Sequence, residues 1–302
     1  MVCDSHRWNM EVGTEMNAND YGKQGLTRKT LIHIVIYFFL FLAGDLGNSV
    51  IFDLLFMVVK LPSRELYIIL RMLGCLLLTY FLFWLYTTKI LHLKMSDFGI
   101  TFAIKKWGCI IAVSLPAFVV IAFLLIGNVS VNHFSFGENL LIVICSLITA
   151  LKAGILEEML FRGYIMKLLE NRWNKYVAIL IPSFLFSLVH IPSMVTINVE
   201  GVLLLIISGT LVGIMFSIVA YIGKSISNSA MIHAVWNFVM VTSILHITTI
   251  QDVYGTPIFS IIIPSDNILL TGAGFGVEAS CVAIIGYLLV CCSFIFLKNK
   301  RN

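Results

Sequence analysis

Residues 139–163 read NLLIVICSLITALKAGILEEMLFRG. Between Leu140 and Leu156 the only charged residue is Lys152. An α-helix needs about 20 mostly apolar residues, rising about 1.5 Å each, to cross the ~30 Å hydrocarbon of a bilayer. The stretch therefore reads as a membrane-crossing helix that runs into a cluster of charge, Glu157, Glu158 and Arg162. Spaced four apart, Glu158 and Arg162 share one helical face and can pair, whereas Glu157 points about 100° away and lacks that local partner.

The surrounding chain has the same character. Its 302 residues are 59% apolar and 12% charged, with a mean hydropathy of +0.98. Soluble domains carry roughly 25% charged residues, so a soluble globular enzyme is excluded, as are disordered, collagen-like and disulfide-rich secreted classes. The net charge of +4 is too mild to argue for nucleic acid, and no such partner is expected. The seven cysteines form no CxxC pair, and six lie in or beside apolar runs, where Cys acts as a small hydrophobe.

Reading outward from residues 139–163 gives eight spans, at about 31–59, 66–88, 107–126, 139–163, 176–194, 202–222, 226–248 and 278–297. The expected fold is an all-α integral membrane protein of about eight transmembrane helices. Asp45, Gly47, Asn48 and Asp53 interrupt the first span, which is therefore expected to be tilted, broken or partly interfacial. Residues 1–30 hold four basic residues and no apolar signal-peptide core, so they read as a polar tail, and residues 31–302 as one polytopic domain. With eight crossings, 15 Lys and Arg fall on the side of the two termini, against Lys60 and Arg64 on the other. That asymmetry places both termini in the cytoplasm, with the bilayer of the cell membrane as the protein's environment. The loop at about 249–277 is expected along the outer surface.

Polar side chains inside a bilayer cost several kcal/mol unless paired or hydrated, so each is a functional candidate. Besides Glu157, Glu158 and Arg162 there are His190, in an apolar helix with Pro182, and His233 with Asn237, again four apart. Each has a purely structural reading. The glutamates would mark a helix leaving the membrane, with Lys152 snorkelling toward them. His190 would bond a carbonyl freed by Pro182, and His233 and Asn237 would hydrogen-bond between helices. Together, two histidines, two glutamates and an asparagine on three crossings are an unusual concentration of ligand-type residues in so apolar a chain. Depth is in tension with convergence: from the assumed cytoplasmic ends, Glu157 and His233 lie about 10 Å inside and His190 about 20 Å.

Hydrolysis of a peptide bond needs an activated water and a donor to the developing oxyanion. A carboxylate can take the water's proton, imidazole can hold that water or a metal, and the Asn amide can donate. Glu157, His190, His233 and Asn237 supply these groups. Two imidazoles and a carboxylate also suit zinc with an open position, although the soluble HExxH signature is absent. A proton-coupled carrier, with Glu157, His190 and His233 as a relay, and a non-catalytic peptide-binding protein are the alternatives. Gly209 and Gly213 read as close helix packing, and Phe184, Phe186 and Trp236 as core or cavity wall.

Glu157-Glu158-x-x-x-Arg162, then Phe186-x-x-x-His190, then His233-x-x-x-Asn237 resembles the three ordered motifs of the CPBP intramembrane proteases. These include type II CAAX prenyl endopeptidases and bacterial homologues linked to bacteriocin processing or self-immunity. The resemblance covers about residues 139–240. It implies an eight-helix fold around a polar cavity open to the cytoplasm, and an endopeptidase acting on a peptide or membrane-associated protein. By this mapping Glu157 and His190 activate water, His233 and Asn237 complete the site with Asn237 as oxyanion donor, and Glu158 and Arg162 support it. If a metal takes part, Glu157, His190 and His233 would be its ligands.

Overall fold

The computed structural model describes residues 23–249 and 256–299. Most of the polar tail expected at residues 1–30, through residue 22, lies outside the described residues, as do Cys3 and residues 300–302.

The first helix, α1 (Lys23–Val58), is one unbroken α-helix. It is followed by α2 (Arg64–Leu85), a π-helical turn (Tyr86–Ile90), a 3-10 turn (Met95–Phe98) and α3 (Lys106–Leu124). Strand β1 (Asn128–Val131) leads into α4 (Phe136–Glu158), which passes through a π-helical stretch (Met159–Ile165) into α5 (Met166–Arg172). Then come α6 (Lys175–Val189), α7 (Val199–Gly223), α8 (Ser227–Met240), β2 (Leu245–Thr248) and β3 (Phe259–Ile262). A short α9 (Ile268–Thr271), two 3-10 turns and α10 (Cys281–Asn299) complete the fold.

Six helical segments among the described residues are long and apolar enough to cross a membrane: Thr27–Val58, Arg64–Ile90, Lys106–Leu124, Phe136–Arg172, Lys175–Ser193 and Val199–Gly223. The expected count of eight is not reached. The span expected at 226–248 is a helix of only 14 residues, because apolar residues 241–248 turn at Thr242 and Ser243 and continue as a strand. Hydropathy cannot separate a helix from such a run, while the Leu245-x-Ile247 alternation and the β-branched Ile244, Ile247 and Thr248 favour extended chain. The apolar part of α10, Cys281–Phe294, is likewise shorter than a full span. Nor is the fold purely helical: a small sheet in the order β1-β3-β2 has β1 antiparallel and β2 parallel to β3. The 249–277 segment thus contributes a central strand.

Polar residues of α1 in the interrupted stretch find partners on neighbouring helices. Asn48 Nδ2 donates to the Arg71 carbonyl, Arg71 Nη2 donates to Ser49, and Tyr67 OH donates to Asp53. Asp45 forms an ion pair with Lys152 at 3.3 Å. These contacts join α1 to α2 and α4, so Lys152 does not snorkel toward the glutamates. A buried or lipid-facing charge persists by pairing, and here the partner comes from a helix more than a hundred residues away.

The largest correction concerns depth. The helix expected to end near residue 163 continues through the π stretch to Arg172, which puts Glu157 about 22 Å from that end. His190 lies the same fifteen residues beyond Lys175, also about 22 Å. Helix α8 starts inside the bundle. Ile226 N bonds the Gly99 carbonyl, and Ile100 packs beside Gly163, about 13 Å in from Arg172. Ser227 and Asn228 are held there by hydrogen bonds to Thr101, Ala103 and Lys105. Six residues further on, His233 reaches the level of Glu157 and His190.

Candidate active site

Helices α4 and α8 meet at small residues: a Cβ on Gly154 would stand 2.7 Å from the Ala230 carbonyl oxygen, so only glycine permits the approach. Helices α6 and α7 meet in the same way, Gly209 against Ser187 and Gly213 against Ser183, as the sequence reading expects of both glycines. These contacts bring the three motifs around one cavity of about 410 Å³, lined by Glu157, His190, His233 and Asn237 together with Phe186 and Trp236. Phe184 lies outside it, 44% exposed on the far face of α6.

His190 is the C-cap of α6. The last carbonyls of a helix lack intrahelical partners, and His190 Nδ1 satisfies one of them by donating to the Phe186 oxygen at 2.7 Å. That carbonyl is freed by the helix end and not by Pro182. With the proton on Nδ1, the Nε2 lone pair points into the cavity, 3.8 Å from Glu157 Oε2. His233 is held alike by a different partner: Nδ1 donates to Glu158 Oε1 at 3.2 Å, and Nε2 stands 3.9 Å from the same Glu157 oxygen. Two imidazoles in one tautomer therefore aim at a single carboxylate oxygen, which is buried and accepts no hydrogen bond among the described residues.

Glu158 and Arg162 support this arrangement from below. Both are fully buried, with Arg162 Nη1 2.8 Å from Glu158 Oε1 and Nη2 donating to the Gly213 carbonyl at 3.1 Å. The guanidinium lies 4.7 Å from the Phe186 ring centroid and 5.2 Å from that of Phe216. Phe216 also stacks on His233 at 4.9 Å, and Phe186 packs against both histidines. Phe186 is thus the ring on which the motifs converge. The π-helical stretch begins directly after Glu158, in keeping with the frequent placement of such turns at functional sites.

Asn237 faces the cavity from the last turn of α8, and its side-chain amide has no partner among the described residues. A residue outside all three motifs, Glu278, also lines the cavity and accepts a hydrogen bond from Trp236 Nε1 at 2.8 Å. Burial pushes its carboxyl above the usual range, with the indole bond opposing. In the sequence Glu278 stands at the start of an apolar run, where a charge reads as a membrane boundary.

A tetrahedral zinc with ligands at 2.0–2.1 Å needs neighbouring ligand atoms about 3.3 Å apart. The Glu157 and histidine atoms stand at 3.8 and 3.9 Å, and no group of three His, Cys, Asp or Glu among the described residues could hold a metal ion. As placed, these residues do not fit zinc. A water spans the same gaps with ordinary hydrogen bonds of about 2.8 Å.

Fold and site together define an integral membrane protein whose helices gather acid, imidazole and amide groups at one depth. Residues 139–239 match the family model described as type II CAAX prenyl endopeptidase, Rce1-like. The match covers all three motifs, bears out the resemblance to the CPBP proteases, and supports a CAAX-protease-like membrane peptidase in general. No curated protein matches the chain.

Proposed function

We propose that the protein is an intramembrane endopeptidase that hydrolyses a peptide bond with a water activated by Glu157. The observation that carries this reading is the convergence of His190 Nε2 and His233 Nε2 on Glu157 Oε2, at 3.8 and 3.9 Å. A water in that space donates one proton to Glu157 and a second hydrogen bond to an imidazole, which aims its oxygen lone pair at a carbonyl in the cavity. Glu157 takes the proton as the C–O bond forms, and Asn237 Nδ2 donates to the oxyanion. Glu157 then returns the proton to the departing amine as the C–N bond breaks. Arg162, Glu158 and Phe216 hold His233, and of these only Phe216 also lines the cavity.

The substrate is a peptide segment delivered from within or beside the bilayer, of which a prenylated C-terminal peptide is the form named by the matched family. The protein lies in the cell membrane with both termini in the cytoplasm. The cavity lining includes residues from the ends of α6 and α8, from β2 and from the turn around Glu278. For cytoplasmic termini that end of the bundle is the outer one, so this lining does not support the cytoplasmic opening implied by the resemblance.

The test is Glu157→Gln in proteoliposomes, scored on a fluorogenic prenylated peptide. Loss of a positioned general base costs about 10²–10⁴-fold in turnover, and folding should be retained, since Glu157 takes no part in the buried ion pair. Undiminished cleavage would remove Glu157 from the chemistry.

A further inference from the structure

The matched segment ends at residue 239, yet part of the cavity wall is built by chain far beyond it. Phe275 sets its ring edge-on to His190 at 6.1 Å, and the Gly274 carbonyl accepts from Val195 N at 2.8 Å, just after the 3-10 turn that follows His190. The turn comes this close because a Cβ on Gly274 would overlap the Thr196 carbonyl. Four residues after Gly274, Glu278 accepts the Trp236 indole N–H, while its own carbonyl accepts from Tyr287 OH at 3.1 Å. Tyr287 in turn packs its ring 5.5 Å from that of Trp236.

Trp236 adjoins Asn237, and both lie in the last turn of a 14-residue helix that stops at Met240. Helix ends fray, because their final carbonyls have no intrahelical partners. A displacement of about 1 Å in a group that must meet a transition state costs on the order of 10²-fold. The end of α8 therefore needs an anchor if Asn237 is to act there. Any neutral acceptor would satisfy a buried indole N–H, and a carboxyl group in its place carries a larger desolvation cost with a stronger, more directional bond.

We propose that Glu278 is a positioning residue of the hydrolytic site: by holding Trp236 it fixes the last turn of α8 and with it the aim of Asn237. This inference rests on the endopeptidase reading above. It adds to that reading a segment outside the three motifs without which the site is incomplete.

The experiment uses the full chain in proteoliposomes, with Glu278→Ala, Glu278→Gln, Trp236→Phe and the Glu278→Ala/Trp236→Phe double variant. Glu278→Ala should lower kcat about 10–100-fold with KM changed less than about twofold, since Asn237 acts on the transition state. Trp236→Phe should give a similar loss, and the double variant should lose little more than either single one, as for two groups that act through one bond. Glu278→Gln keeps an acceptor oxygen and should recover most of the lost kcat. The Trp236 indole N–H resonance, read without substrate, should shift in Glu278→Ala and return toward its position in Glu278→Gln. Should Glu278→Ala not assemble, Trp236→Phe and Glu278→Gln carry the same expectations. Losses that multiply in the double variant, or an indole resonance indifferent to Glu278→Ala, would overturn the proposal. A Gln variant as inactive as Ala would also overturn it, by assigning the carboxyl to the chemistry itself. The resonance is independent of turnover: a wild-type protein that cleaves nothing would sink the endopeptidase reading, and the indole measurement would still decide whether Glu278 anchors α8.

Discussion

Glu158 is asked to do two things with one oxygen. Its Oε1 lies 2.8 Å from Arg162 Nη1 and 3.2 Å from His233 Nδ1, so it neutralises a buried cation and also sets the tautomer of the His233 ring. Substitutions can separate the two roles. Glu158→Leu leaves Arg162 fully buried without its carboxylate, and Arg162→Met leaves Glu158 fully buried without its cation. Breaking a buried pair from one side costs about 3–5 kcal/mol. Arg162 retains the Gly213 bond and two close aromatic faces, contacts of about 1 kcal/mol each, so Glu158→Leu should fall at the lower end. Removing both charges is commonly neutral or stabilising, because neither ion then has to be desolvated. Allowing about 1–2 kcal/mol for the imperfect fit of Leu and Met where Glu and Arg were, the double variant should come within about 2 kcal/mol of wild type.

Turnover should not follow stability. In the double variant His233 Nδ1 has lost its acceptor, the ring no longer has a fixed tautomer, and partners of this kind typically contribute 10–100-fold. The expected pattern is therefore two single variants with clearly lowered thermal midpoints, and a double variant that regains the midpoint but stays about 10–100-fold slow. Scanning fluorimetry in detergent and peptide cleavage in proteoliposomes read the two quantities on the same preparations. A double variant that regains wild-type turnover would reduce Glu158 to a counter-ion and refute its role at His233. One as unstable as the singles would refute the ion-pair accounting.

Asn237→Ala should lower kcat about 10²–10³-fold with little change in substrate affinity, as for a donor that meets only the oxyanion; a variant whose sole defect is a higher Kd would contradict the assignment. Because the Glu157, His190 and His233 atoms are too widely spaced for a zinc shell, cleavage should survive exhaustive chelation and dialysis; activity lost to the chelator and restored by zinc would show that these side chains close up around a metal.

What was legible in the sequence, and what was not, follows from how far each signal reaches along the chain. Glu157, His190, His233 and Asn237 stand out because polar groups are rare in this chain, and the structure brings all four to one cavity. The Glu158–Arg162 pair is a contact four residues apart, which periodicity alone supplies. The partners that determine what those residues can do are long-range or depend on helix ends. The acceptor for His190 is the Phe186 carbonyl, free because α6 stops at Val189, and a hydropathy window does not see where a helix stops. The depth mismatch that the sequence suggests has the same origin. The apolar run after residue 163 is diluted by Lys167, Glu170 and Arg172, so the span reads as ended where the helix in fact continues for another nine residues. Asp45 and Lys152, read separately as a flaw in one span and a snorkelling lysine in another, are a single ion pair. Glu278 shows the limit most clearly, because its partner is 42 residues away and nothing local distinguishes a carboxylate facing headgroups from one that folds back onto an indole. In a membrane protein composition marks which residues need a partner, since an unpaired charge is costly wherever it lies. Only the packing of glycines such as Gly154, Gly209 and Gly213 decides which partner each one meets.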